Sequence, residues 1–237
     1  MQSFVRAAAA LSLVLPMYGA QAQPAAVTPA PQNVLQLTAS ASIEVAQDWL
    51  TLTLSTTREG PDADTVQAQL KDALDSALGL ARPQARPGQL DVRSGNFQLS
   101  PRYNREGRIT GWQGNAALVL EGRDFARIAA LAGRMQALTV AGVQFSLSRE
   151  EHRRAEGQVQ SAAIERFKAK AVDIAKDFGF TGYALREVTV QANDREFAPR
   201  PRVMAMQAKG AAADAPVPLE AGRSAVTVTV SGTVQMK

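Results

Sequence analysis

Few residues in this chain have the types and spacing that chemistry needs. His152 is the only histidine, and it lies in Arg149-Glu150-Glu151-His152-Arg153-Arg154, at the start of a long helical pattern. With Glu150 and Glu151 it has the donor types of a metal site. A zinc site, however, takes three or four protein ligands, and a charge run of this kind fits a solvated helix terminus better. A Ser-His-Asp triad would have to use the same histidine, and no serine lies in a G-x-S-x-G turn. The chain has no cysteine, so thiolate nucleophiles are excluded. With six methionines and no thiol, any antioxidant effect would not be thiol chemistry. Glu59, Asp62 and Asp64 could contact a hard cation, but the positive end of a helix accounts for the two aspartates more simply. Gly107, Gly111 and Gly114 do not follow dinucleotide-loop spacing. The expectation is a protein with no catalytic residue, no cofactor and no metal.

Two groups have binding chemistry instead. Trp112 and Tyr103 could stack on a sugar ring or a base, which would make the chain a small-molecule or glycan binder. Both also fall on an apolar strand face, where such rings usually belong to the core. Arg195, Arg200, Arg202 and Lys209 interleave with Phe197, Val203, Met204 and Met206. They form a candidate interaction surface for a partner subunit or an anionic lipid. A basic loop with no partner is the plainer alternative.

The elements that must position these residues centre on Gln89–Leu120. It reads as two antiparallel strands joined at Asn104-Arg105-Glu106-Gly107, a loop length common in hairpins. That loop places Leu99 opposite Trp112 and Phe97 opposite Gly114. One face then carries Phe97, Leu99, Tyr103, Trp112, Ala116, Leu118 and Leu120. A slip of one residue would scatter this set, and an aromatic over a strand glycine helps to hold the register. Leu90 and Val92 fall on the opposite phase, so a bulge near Ser94-Gly95 is expected to bring them to the same side.

The remaining elements follow from periodicity. Val34–Val45 and Trp49–Thr57 read as strands, with Ala46-Gln47-Asp48 as the turn between them. Pro61–Ala81 reads as a helix with Val66, Leu70, Leu74, Ala77 and Leu78 on one stripe. Asp124–Leu138 is a second helix capped by Asp124. Thr139–Ser148 is a strand and Glu150–Phe178 the longest helix, stopped at Gly179. Tyr183–Gln191 and Ser224–Met236 are strands, separated by a long Pro- and Ala-rich loop at 192–222. A loop of this length is usually functional or disordered. The order β-β-α-β-β-α-β-α-β-β predicts an α+β fold, with a mostly antiparallel sheet built from hairpins and helices packed on one face.

Composition sets the compartment. Arg6, the apolar run Ala7–Leu15, Pro16 and Ala20-Gln21-Ala22 follow the order of a secretory signal peptide, so residues 1–22 are expected to be cleaved after Ala22. Residues 23–33 read as a disordered linker and 34–237 as the folded domain. An exported chain without cysteine relies on burial alone. The formal charge is +4, or about +3 without Arg6, which suits solubility or weak attraction to anionic surfaces. Nucleic acid is not an expected partner.

Several segments together resemble the SIMPL-domain proteins, a bacterial envelope family. They are Gln47-Asp48, where the family usually has Pro-Asp, the run Ser94–Tyr103, and Ile109-Thr110-Gly111-Trp112, where the family often has Tyr. Ala169–Ala175 followed by Gly179, and Pro218-Leu219-Glu220-Ala221-Gly222, also fit. The family includes a periplasmic immunogenic protein and a protein associated with oxidative-stress defence. The resemblance implies an exported, non-enzymatic protein, and some members of the family assemble into large homo-oligomeric rings or channels, so a periplasmic, outer-membrane-associated homo-oligomer is expected. The basic loop makes another envelope protein or an anionic membrane surface the expected further partner. It brings no catalytic residue.

Overall fold

The computed structural model describes residues 32–193 and 220–237. The expected signal segment 1–22, nearly all of the 23–33 linker and most of the 192–222 loop lie outside the described residues. So do Arg195, Arg200, Arg202, Met204, Met206 and Lys209.

Asn33–Lys237 forms one unit. Its elements are β1 (Val34–Ala46), β2 (Trp49–Gly60), α1 (Ala63–Ala81), β3 (Asp91–Tyr103), β4 (Ile109–Gly122), α2 (Phe125–Gly133), β5 (Thr139–Ser146), α3 (Arg149–Asp177), β6 (Tyr183–Asn193) and β7 (Arg223–Met236), with a short 3-10 turn after α1. The order and the α+β class are those expected. The strands do not form one sheet, however. They form a three-stranded sheet, β1-β7-β6, and a four-stranded sheet, β3-β4-β2-β5, with every pairing antiparallel.

The turn expected at Ala46-Gln47-Asp48 is therefore a passage between sheets. β1 pairs with β7, whereas β2 pairs with β4 and β5. No local signal distinguishes the two arrangements, because β1 and β2 have the same alternation and differ only in partner.

The helices begin where their caps lie. The Asp62 side chain accepts a hydrogen bond from the Thr65 backbone N–H at 2.8 Å, and Asp124 accepts one from the Arg127 N–H at 3.0 Å. Such caps satisfy amides that have no partner within the helix. α1 and α2 bury a leucine-rich cluster over the four-stranded sheet, including Leu50, Leu52, Leu54, Leu118, Leu120, Ile128 and Leu131. A satellite cluster joins Val66 and Leu70 of α1 to Ala116, with Leu99 and Trp112 packed against it. α3 covers the other sheet through Ala155, Val159, Ala163, Phe167, Ala171 and Ala175. These recur every fourth residue, so the stripe is narrow. It meets Leu37, Ala41, Val228, Val230 and Val234.

The β3–β4 hairpin forms in a register two residues away from the expected one. Leu99 lies opposite Gly114, Phe97 opposite Ala116 and Trp112 opposite Pro101. Two local features cause the shift. The loop holds Arg108 as well, closed by Asn104, whose side chain accepts from the N–H groups of Glu106 and Arg108 at 3.0 and 2.9 Å. Gly107 takes φ 76° in it, a conformation glycine adopts without strain. A second irregularity, between Arg102 and Tyr103, adds the other residue. Between Phe97 and Pro101 the displacement is even, so the side chains there keep their side of the sheet. The bulge expected near Ser94-Gly95 is present between Ser94 and Phe97. Leu99, rather than Phe97, is the residue that packs over Gly114. A Cβ added at Gly114 would lie 2.5 Å from Leu70 Cδ1 and 3.0 Å from the Gln98 carbonyl oxygen.

Phe97 and Tyr103 are not core residues. They are 45% and 61% exposed, because β3 is an edge strand and the helices cover the strands inside it.

Candidate functional site

The chain crosses between sheets at Gln47-Asp48, and that crossing organises a polar junction. The Gln47 backbone N–H donates to the Gly222 carbonyl at 3.0 Å, and its side chain joins Ser224 Oγ and the Gly222 N–H. A proline at this position could not make the backbone bond. Next to it, Asp48 accepts from the Ser148 N–H at 2.6 Å and from Ser148 Oγ at 2.7 Å. Arg123, just past β4, donates to Ser148 Oγ at 2.8 Å and to Glu150 Oε2 at 3.0 Å, and its Nε lies 3.2 Å from Asp48 Oδ2. The Glu150 carboxylate first, and the Asp48 and Glu151 charges behind it, raise the guanidinium pKa above its ordinary value.

Ser148 is the buried centre of this network and caps α3. Its hydroxyl donates its one proton to Asp48 and accepts from Arg123 and from the Glu151 N–H at 3.2 Å. Both lone pairs and the proton are engaged. Ser148 is built as a fastener rather than as a nucleophile.

Beside the junction lies an open cleft of about 700 Å³ on the side of the four-stranded sheet away from its helices. Trp49, Thr51, Glu121 and Ser146 line its floor. Arg149 and Arg153, from the first turns of α3, and the Pro87-Gly88-Gln89 turn form its walls. On β2 this side alternates with the fully buried Leu50, Leu52 and Leu54, so its residues are left half-exposed and polar or aromatic.

The other residues singled out in the sequence are spread through the fold. His152 is on α3, with its Nδ1 3.8 Å from Glu156 Oε2. Among the described residues, no three His, Asp or Glu side chains come together as a metal-holding group. Asp62 caps α1, and hydrogen bonds from Thr65 hold its carboxyl below the usual range. Glu59 pairs with Arg102 across the sheet. Trp112 packs on the Val66–Leu70–Ala116 cluster, apart from the cleft lining. Of the cleft residues, Trp49 and Arg123 did not stand out in the sequence. The Arg149–Arg154 run was visible, but nothing in it shows that a tryptophan a hundred residues earlier lies beside it.

A second exposed feature is the β6 edge. Leu185, Val188 and Val190 pair with Val234, Gly232 and Val230, the side of β7 that α3 covers. They are nevertheless 53%, 42% and 42% exposed. Among the described residues, no helix is long and apolar enough to cross a membrane.

A family profile supplies the wider frame. SIMPL, described as a protein of unknown function (DUF541), matches residues 35–234. The chain belongs to the SIMPL family. The match takes in both sheets and all three helices, so the junction and the cleft are features of a SIMPL domain. No curated protein matches the chain.

Proposed function

We propose that this SIMPL protein is an exported, non-enzymatic envelope protein that self-associates along the β6 edge of its three-stranded sheet. The observation that carries this reading is the apolar row Leu185, Val188 and Val190, exposed on a strand whose outer edge pairs with no described strand. An unprotected apolar edge is a template for pairing with another chain, and closed symmetric assembly is a common way to cover it. The assembly that the SIMPL resemblance implies supports the same reading.

The export part rests on Arg6, Ala7–Leu15 and Ala20-Gln21-Ala22. Two features support a protein without catalysis: the Ser148 hydroxyl is fully engaged, and the single histidine faces a glutamate on its own helix. A role in oxidative-stress tolerance would then be indirect, since the chain has no thiol. The 194–219 segment, with its interleaved basic and apolar residues, is the proposed contact for an envelope protein or anionic lipid.

Light scattering on the size-separated mature chain tests the central claim. An assembly of several protomers is expected, dissociating in the Leu185→Lys/Val188→Lys variant with its circular dichroism unchanged. A monomer at every concentration reached would sink the reading.

A further inference from the structure

We propose that the cleft beside the α3 N-terminus binds an acidic saccharide, a sugar ring carrying a carboxylate. The argument starts from which lining groups are already engaged. Glu121 is paired by Arg93 at 3.2 Å and Glu150 by Arg123 at 3.0 Å. Arg123 is itself held by Asp48, Ser148 and Glu150, so its charge is already met by two carboxylates and it serves as a wall. Arg149 and Arg153 remain. Among the described residues neither guanidinium meets a carboxylate; the one bond recorded for either head group runs from Arg153 Nε to the Arg149 carbonyl at 3.1 Å. Two surplus guanidinium groups on one wall match a carboxylate, which accepts their paired N–H donors.

The floor adds a different chemistry. The Thr51 and Ser146 hydroxyls line the cleft and hydrogen-bond to no other described residue. Trp49 is half-buried beside them, opposite Ser146 in the β2–β5 pairing. An indole offers a flat apolar surface to the C–H face of a pyranose, while hydroxyls exchange hydrogen bonds with its ring substituents. A simple inorganic anion would leave the indole face unused. The cleft, about 700 Å³, is of ligand size, within the usual range of about 300–1,000 Å³.

The test uses the mature chain with Trp112→Phe. The chain has two tryptophans, so emission then reports on Trp49 alone. Titration with trigalacturonate is expected to give a saturable change that weakens about tenfold in Arg149→Gln/Arg153→Gln, and neutral maltotriose is expected to bind more weakly. Calorimetry on the chain without substitutions provides the same measurement if Trp112→Phe folds poorly. The proposal is overturned by the absence of saturable binding of trigalacturonate, by equal affinity in the arginine variant, or by an equal response to inorganic phosphate.

Discussion

Under α1 and α2 the four-stranded sheet is filled with leucines, whereas under α3 the three-stranded sheet is filled with alanine and valine around Phe167. The difference decides what each helix can cover. Large side chains from two helices and two central strands interlock over the middle of the wider sheet. A narrow stripe of small residues instead lets one long helix lie close to its strands, but it centres on β1 and β7 and meets β6 mainly at Tyr183. Leu37 and Ala41 of β1 are buried, whereas every hydrophobic residue of β6 with a described side chain is at least partly exposed. The two sheets thus have opposite weaknesses. One is sensitive to lost volume, and the other to added volume.

The largest expected effect tests the first half of this contrast. Leu120→Ala, at a fully buried position, should cost about 2–5 kcal/mol in denaturant unfolding, because the surrounding leucines collapse only partly into the space. A cost below about 1 kcal/mol would show that the leucine layer is loosely packed. The converse change belongs to the other sheet. Ala163→Leu, also fully buried, should cost about 1–3 kcal/mol by overpacking. Hydrogen exchange should quicken in β1 and β7 before β2 and β4. Equal quickening in both sheets would mean that the molecule opens as one cooperative unit.

A smaller effect sharpens the comparison at a helix start. The Arg127 backbone N–H, then its side chain, hold the Asp124 carboxyl below the usual range. A depressed folded pKa means that this contribution is present above the unfolded carboxylate pKa and fades as pH falls through the folded one. Asp124→Ala should therefore cost about 1 kcal/mol near neutral pH, with the gap from the parent chain closing in acid. Asp124→Asn, which keeps an acceptor, should lose less at neutral pH. Thermal unfolding at both pH values checks this, and a gap that does not change with pH would contradict it.

Much of the architecture was legible in the sequence. Strand alternation and helical stripes placed all ten principal elements in order, and caps such as Asp124 and Gly179 marked ends to within a few residues. The bulge near Ser94-Gly95 followed from a phase change between Val92 and Phe97. The hairpin pairing did not, since a four-residue loop and a five-residue loop fit Asn104–Arg108 equally well. The second irregularity, beside Tyr103, leaves no mark in composition. Phe97 and Tyr103 were misplaced because alternation reports which side of a strand a residue occupies, not whether a helix reaches it. The cleft was the least legible feature. Trp49, Thr51, Arg149 and Arg153 carry no shared motif, and β2 and β5 bring them together.

Local sequence by itself determined the elements, their buried sides and the absence of a thiol, because periods of two and of about four residues act within a few neighbouring residues. Only the tertiary structure decided that Val34–Ala46 pairs with Arg223–Met236, at the far end of the chain, and that the strand after Asp48 joins a different sheet. No turn connects such partners. Their pairing is fixed by which apolar faces can be covered at the same time, and the polar junction at Asp48, Arg123 and Ser148 exists only once that has happened.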